Sequence, residues 1–196
     1  MQTIVVASGN KGKLREIATI FRGYAVISMQ EAGFTGDIEE TGETFEENAL
    51  IKARAVSRTL HCTALADDSG LCVDALGGAP GVHSARFCGR HGDDAANNAL
   101  LLQKMRTVPV EQRGAYFESC VALCTADGLE LTASGRTYGH ILKEAEGEGG
   151  FGYDPLFWSD ELQKSFGVAS AEEKNAVSHR AKALAALAAR CREAGV

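Results

Sequence analysis

Proline is scarce in this chain, three in 196 residues. With 45% hydrophobic residues, that scarcity excludes a proline-rich or disordered polymer and leaves ample length for a packed core. No uninterrupted apolar run approaches a membrane span, and the N-terminus lacks the charged-then-apolar pattern of a secretory signal. These absences predict a soluble, cytoplasmic protein with no membrane partner. The six cysteines, Cys62, Cys72, Cys88, Cys120, Cys124 and Cys191, include no C-x-x-C pair. Cys120 and Cys124 fall on one face of a predicted strand and read as small buried thiols rather than zinc ligands. There is no basic stripe either. A net charge of −6 and a pI near 5.4 argue against a nucleic-acid polymer as ligand. A small polyanion, held by a few focused lysines with a metal ion, remains compatible. Internal repeats and low-complexity linkers are also missing, so residues 1–196 are expected to form one domain.

What is present alternates strands with helices. Residues 3–7 read as a buried strand, 11–22 as a helix and 25–29 as a second strand. Thr44-Phe45-Glu46-Glu47 is a capping box that opens a helix to about Leu60. A short apolar strand over 63–67 ends in carboxylates, and the glycine-rich loop GGAPG (77–81) separates it from a helix near 93–105. Residues 115–125 alternate, with Ala115, Phe117, Ser119, Val121 and Leu123 on one face. Asp127-Gly128 reads as a tight turn into 129–137. An alanine-rich helix, starting near Ser170 or Ser178, runs to Arg192. This order predicts an α/β fold with a mixed sheet.

The loop SGNKGK (8–13) looks like a Walker loop but is not one. That pattern needs G-x-x-x-x-G-K-[ST], and here Ala7 and Leu14 stand at the first glycine and the hydroxyl positions. Its physics still suits an anion. Asn10 is a plausible N-cap, which puts Lys11 and Lys13 in a first helical turn where the macrodipole disfavours cations. A phosphate chain would neutralise them, and Gly9 and Gly12 let a ligand approach the backbone. Two solvated lysines on an ordinary loop are the alternative.

Further candidates lie at strand ends and helix edges. In TALADDSGL (63–71), side chains alternate, so Asp67 and Asp68 face opposite ways; one can reach a pocket while the other is structural. An Asp-rich turn is the alternative. Glu46 and Glu47 serve a helix dipole, whereas Glu39 and Glu40 precede the helix and do not. One of them with an Asp would suffice for magnesium, which is usually held by one or two carboxylates plus substrate phosphates. Lys52 lies at the edge of the stripe Phe45, Ala49, Ala53, Val56 and Leu60, with Asn48 one turn earlier; it either snorkels or meets a phosphate. GEGGFGYDPLF (147–157) combines glycines with Phe151, Tyr153 and Phe157, so it can stack a base or form a plain turn. In EEKNAVSHR (172–180), Arg180 projects into the stripe Val177, Ala181, Leu184 and Ala188, a burial that is costly unless the charge is paired. Lys174 lies at the edge of that stripe, and His179 falls off it.

Six segments in this order resemble the inosine-triphosphate pyrophosphatase family: SGNKGK, EETGETFEENALIKA (39–53), ADDSGL (66–71), GGAPGVHSAR (77–86), GGFGYDP (149–155) and EEKNAVSHRAKAL (172–184). The resemblance implies an elongated two-lobed α/β fold with the nucleotide in the cleft, and a homodimer. It implies Mg2+-dependent hydrolysis of ITP, dITP or XTP to the monophosphate and pyrophosphate. By the same resemblance Asp68 is the general base or metal-organising carboxylate, with Glu39 as a second metal ligand. Ser8, Gly9, Asn10, Lys11, Gly12, Lys13, Lys52 and Ser69 would surround the triphosphate. Phe151, Gly152, Tyr153, Asp154, Lys174, His179 and Arg180 would form the base pocket. Two rival readings are a Maf-like pyrophosphatase with another base preference and a non-catalytic purine-nucleotide sensor.

Overall fold

Among residues 2–196, which the computed structural model describes, seven strands form one mixed sheet in the order β2-β1-β3-β4-β5-β6-β7. The elements are β1 Gln2–Val6, α1 Lys11–Ile20, β2 Tyr24–Ser28, α2 Phe45–Leu60, β3 Ala64–Val73, α3 Asp94–Lys104, β4 Gly114–Cys124, β5 Glu130–Ile141, β6 Phe157–Ser159, β7 Lys164–Ser165, α4 Ala171–Val177 and α5 His179–Ala194. β1 runs parallel to both its neighbours, in register Val6↔Ser28 with β2 and Val6↔Leu65 with β3. β5, β6 and β7 pair antiparallel. The expected α/β class with a mixed sheet is what the chain adopts.

Local chemistry sets the helix starts. Asn10 Oδ1 accepts from the N–H groups of Gly12 and Lys13, at 2.8 and 3.2 Å, which fixes the start of α1 at Lys11. Thr44 and Glu47 cap α2 reciprocally, and Ser170 and Glu173 do the same for α4.

Three expectations need correction. β3 does not stop at its carboxylates; it runs on through Asp67, Asp68, Ser69 and Gly70 to Val73. The small residues Ser69 and Gly70, which would also suit the alternative of an Asp-rich turn, are accommodated in a strand whose last four residues are all buried. Of the two starts given for the tail helix, Ser178 is the one adopted: α5 begins at His179, and the segment after Ser170 is a separate helix. Ser178 takes an extended conformation (φ −66°, ψ 147°) between them, which leaves the stripe through Val177 to be corrected. That break resets the helical phase, so the buried stripe of α5 is Ala183, Leu184, Leu187 and Cys191, while Val177, Ala181 and Ala188 are only partly buried. The short strands β6 and β7 carry too few residues to show a period of two and were not foreseen.

The chain divides into two compact units. Unit 1 comprises residues 1–68, 119–135 and 180–196, and unit 2 comprises 69–118 and 136–179. In unit 1 the sheet is covered on both faces. Ile4, Val6 and Leu65 pack with Ile17 of α1 and Leu184 and Leu187 of α5. Val5, Ala64 and Ala66, which point the other way, pack with Ala49, Ala53 and Val56 of α2. In unit 2, Leu71, Val73, Phe117, Ile141 and Phe157 pack with Leu101 of α3 and with Phe166. The opposite side of β4 and β5 there carries Tyr116, Glu118, Arg136 and the exposed Tyr138.

Candidate active site

The candidate residues of unit 1 converge where β3 passes beyond β1. The β1–β3 pairing ends at Val6↔Leu65, so Asp67 and Asp68 lie past the C-terminal end of the neighbouring parallel strand. Ligands gather at such places in α/β sheets. The two carboxylates do face opposite ways. Asp67, 3% exposed, receives Arg180 Nε at 3.0 Å on Oδ2 and Lys13 Nζ at 2.9 Å on Oδ1. Arg180 also donates from Nη1 to Glu16 Oε2 at 3.0 Å. Asp68 instead meets α2. Lys52 Nζ lies 3.3 Å from its Oδ1, and Asn48 Nδ2 donates to its Oδ2 at 3.2 Å.

Lys52 is shared. Its ammonium also reaches Glu40 Oε2 at 3.1 Å. The loop carrying Glu40 is docked on α2 by Gly42, whose N–H donates to Asn48 Oδ1 at 2.8 Å. A Cβ at Gly42 would sit 2.7 Å from that oxygen and 2.9 Å from Asn48 N, so glycine is required for the approach. Glu39, one residue away, is exposed. Lys11 is exposed in the first turn of α1, which carries no acidic residue. Ser8 Oγ accepts from Asn10 N at 3.1 Å, closing the loop on itself. Ser69 follows Asp68 along β3.

The electrostatics separates the two aspartates. Burial pushes the Asp67 carboxyl up, but Lys13 and Arg180 outweigh it and hold the acid well below its ordinary value of 3.8. Burial also acts on Asp68, where Glu40 adds to it and Lys52 only partly opposes both, so this acid is raised. Burial is the largest influence on Lys52 as well, yet Asp68, then Glu40 and Asp67, more than restore its charge and raise it. Around the cluster stand three cations, Lys13, Lys52 and Arg180, and four carboxylates, Glu16, Glu40, Asp67 and Asp68. One negative charge is left in excess. Among the described residues no group of three or more His, Cys, Asp or Glu forms a metal cage. Two hard carboxylates, Asp68 and Glu40, sharing a single ammonium nevertheless fit the protein's part of a magnesium site whose other ligands are phosphate oxygens.

Unit 2 holds the aromatic-glycine loop. Asp154, 2% exposed, accepts from Phe151 N at 2.8 Å and from the Lys174 ammonium. Lys174 Nζ in turn lies 4.3 Å from the Phe151 ring centroid, and Phe151 is 59% exposed. Tyr153 is buried and donates its hydroxyl to Ser84 O at 2.9 Å. This gives the GGAPGVHSAR segment a role: Ser84 Oγ also accepts from Leu71 N at 2.9 Å, so the segment ties the loop to β3. His179 is buried with its ring flat on Phe117, centroids 5.0 Å apart at 14°.

A family profile and close relatives bear on these clusters. The profile of the Ham1 family matches residues 4–190. The chain belongs to the Ham1 family. Among its Ham1-like relatives, the dITP/XTP pyrophosphatase of Geobacter sulfurreducens is 50% identical over 189 residues, 95% of each chain. The dITP/XTP pyrophosphatase of Desulforamulus reducens is 50% identical over 92% of this chain and 91% of its own. The Ham1 protein of Staphylococcus aureus superposes with a TM-score of 0.92 at 40% identity, covering 98% of this chain and all of that one. The fold of this Ham1-family chain is therefore that of solved Ham1 structures.

Several members of the two clusters carry no signal in the sequence. Glu16 could be found only as the residue one turn after Lys13 on α1, and nothing marks it as Arg180's partner. Phe117 reads as a core residue, as it is, and its second duty under His179 is invisible to periodicity. His179 is buried by its contact with Phe117 of β4, which no periodicity of the helix shows.

Proposed function

We propose that this chain is a Mg2+-dependent nucleoside-triphosphate pyrophosphatase that hydrolyses dITP, ITP and XTP to the monophosphate and pyrophosphate. The observation that carries the reading is the sharing of Lys52 between Asp68 and Glu40, beside a first helical turn bearing two lysines. The names of the 50%-identical relatives support the substrate class.

In this reading Asp68 is the general base. Its raised affinity for a proton matches a group that must take one from water. Asp67 is ionised and locked between Lys13 and Arg180, which suits a structural carboxylate. Asp68 with Glu40 or Glu39 would hold the magnesium, which supplies charge neutralisation and polarisation of the phosphate oxygens. Lys11, Lys13 and Lys52 would bind the departing phosphates, assisted by Ser69. The excess negative charge of the cluster disfavours a bare triphosphate and accepts a metal-bound one. In unit 2, Phe151 would stack on the base, and donors such as Lys174 would favour a 6-keto purine over adenine, whose amino group would leave them unpaired. The enzyme acts as a single catalytic domain in a cytoplasmic homodimer, on free nucleotides rather than nucleic acid.

The test is incubation with magnesium and, separately, ITP, dITP, XTP, ATP and GTP, resolving all phosphate products. Monophosphate plus pyrophosphate from the first three, with ATP and GTP nearly untouched, is the expected outcome. Diphosphate plus phosphate would place attack at the γ-phosphorus and refute the reading.

A further inference from the structure

The loop around Phe151 is gripped from α3, a helix that contributes nothing to the six sequence motifs. Asp94 Oδ2 accepts from Gly152 N–H at 2.8 Å, and Asn98 Nδ2 donates to Gly152 C=O at 2.9 Å. The two side chains are four residues apart, so they project from one face of α3 and clamp both polar groups of a single residue. Gly152 sits at φ +61°, a left-handed conformation that glycine leaves readily and that needs an external hold. Helix capping does not explain Asp94, because the cap of α3 is Asp93, whose Oδ1 accepts from Ala96 N at 3.0 Å. Nor is Asn98 there for a complete polar network: its Oδ1 is buried with no hydrogen-bond partner among the described residues, and its amide is used at the Gly152 end. With Phe151 N bonded to Asp154 on one side, fixing Gly152 on the other holds the Phe151 backbone at both ends and so sets where its Cβ projects, while Lys174 Nζ lies 4.3 Å from the ring centroid.

We propose that Asp94 and Asn98 are positioning residues for base recognition. They fix the Gly152 peptide and thereby the plane of Phe151 that is offered to the purine. The inference rests on the pyrophosphatase reading, and its test separates the two. Asp94→Ala and Asn98→Ala are assayed with ITP and magnesium beside wild type, Asp94→Asn, Phe151→Ala and the double variant Asp94→Ala/Phe151→Ala. KM is expected to rise about tenfold in the two alanine variants with kcat within about twofold, since a lost hold on the base is a loss of binding. Asp94→Asn, which keeps an acceptor oxygen, is expected to restore KM. In the Phe151→Ala background the Asp94→Ala change is expected to add little, because a residue that acts through Phe151 has nothing left to position. Asn98→Ala lies beyond the first turn of α3 and carries the test if Asp94→Ala fails to fold. A lowered Tm with unchanged KM, or independent multiplying effects in the double variant, would overturn the positioning role alone. A wild-type protein that releases no pyrophosphate from ITP would overturn both readings together.

Discussion

In unit 1, Lys13, Lys52 and Arg180 hold Glu16, Glu40, Asp67 and Asp68 side chain to side chain, while in unit 2 the 147–155 loop is held largely through main-chain groups. The difference matters because ion pairs respond to any change of charge nearby, whereas backbone clamps respond to shape. The first arrangement can hand an ammonium from a carboxylate to a phosphate without moving the chain. The second holds the backbone that carries the exposed Phe151 ring. The one strong ion pair of the loop, Lys174 with Asp154, joins both styles, since Asp154 also takes a backbone N–H.

Breaking the contrast in unit 1 should have the largest consequences. Asp68→Asn keeps the shape and removes the proton acceptor, so kcat is expected to fall by about a thousandfold with the fold intact, read by steady-state kinetics beside a thermal melt. Retention of a tenth of the activity would remove Asp68 from the chemistry. Next comes Arg180→Met, which leaves Asp67 buried with one of its two ion-pair partners, Lys13. Loss of one partner of a buried pair costs about 3–5 kcal/mol, measurable by urea unfolding.

Acid should expose the opposite signs of the two aspartates. Asp67 is held below 3.8, so its contribution is present above that pH and is lost as pH falls through its lower folded value. Asp68 is raised, so it binds its proton more tightly in the folded state and weakens the fold as pH rises above 3.8 through its folded value. Asp67→Asn is expected to flatten the acid limb of stability, and Asp68→Asn to stabilise modestly near neutrality. Identical limbs in all three proteins would contradict this assignment.

In unit 2 the expected effects are smaller and fall on binding. Phe151→Ala should raise KM for ITP by the value of one base-stacking contact, about 1–3 kcal/mol, with kcat nearly unchanged. An equal loss in kcat would mean that the ring serves the chemistry and that the division of labour is wrong. The last test returns to unit 1 and is the smallest as a shift in pH, although loss of Glu40 as a magnesium ligand would also lower kcat. Glu40→Gln removes a charge that raises Asp68 but leaves the larger influence, burial, in place. The acid limb of kcat/KM, where Asp68 loses its charge, should move slightly to lower pH.

Much of this was legible in the residues. Asn10 and Thr44 announced α1 and α2 because capping is local chemistry, and Lys52 at the edge of an apolar stripe was found by geometry on one helix. Alternation alone gave Asp67 and Asp68 opposite surroundings. What escaped is non-local. The extension of β3 through Ser69 and Gly70 depends on burial of Leu71 to Val73, contributed by distant segments, and local turn preference pointed the other way. Glu16 meets Arg180 across 164 residues of chain, and Asp94 meets Gly152 across 58; no spacing rule reaches so far. Ser178 ends α4 without a proline or glycine, so local chemistry does not choose between Ser170 and Ser178 as the start of the tail helix, and His179 owes its burial to Phe117, 62 residues earlier in the chain.

The make-up of unit 1 bears on how the protein is synthesised. Its core packs Ile4, Val6 and Ile17 against Leu184, Leu187 and Cys191, residues separated by nearly the whole chain. On the ribosome the early strands emerge long before their covering helix, whereas the segments of unit 2 are complete by residue 179. Such long-range closure is slow and leaves apolar strand surface open meanwhile. A nascent chain halted after α4 would present Ile4, Val6 and Leu65 to chaperones, and release of the last turns of α5 is the event that hides them.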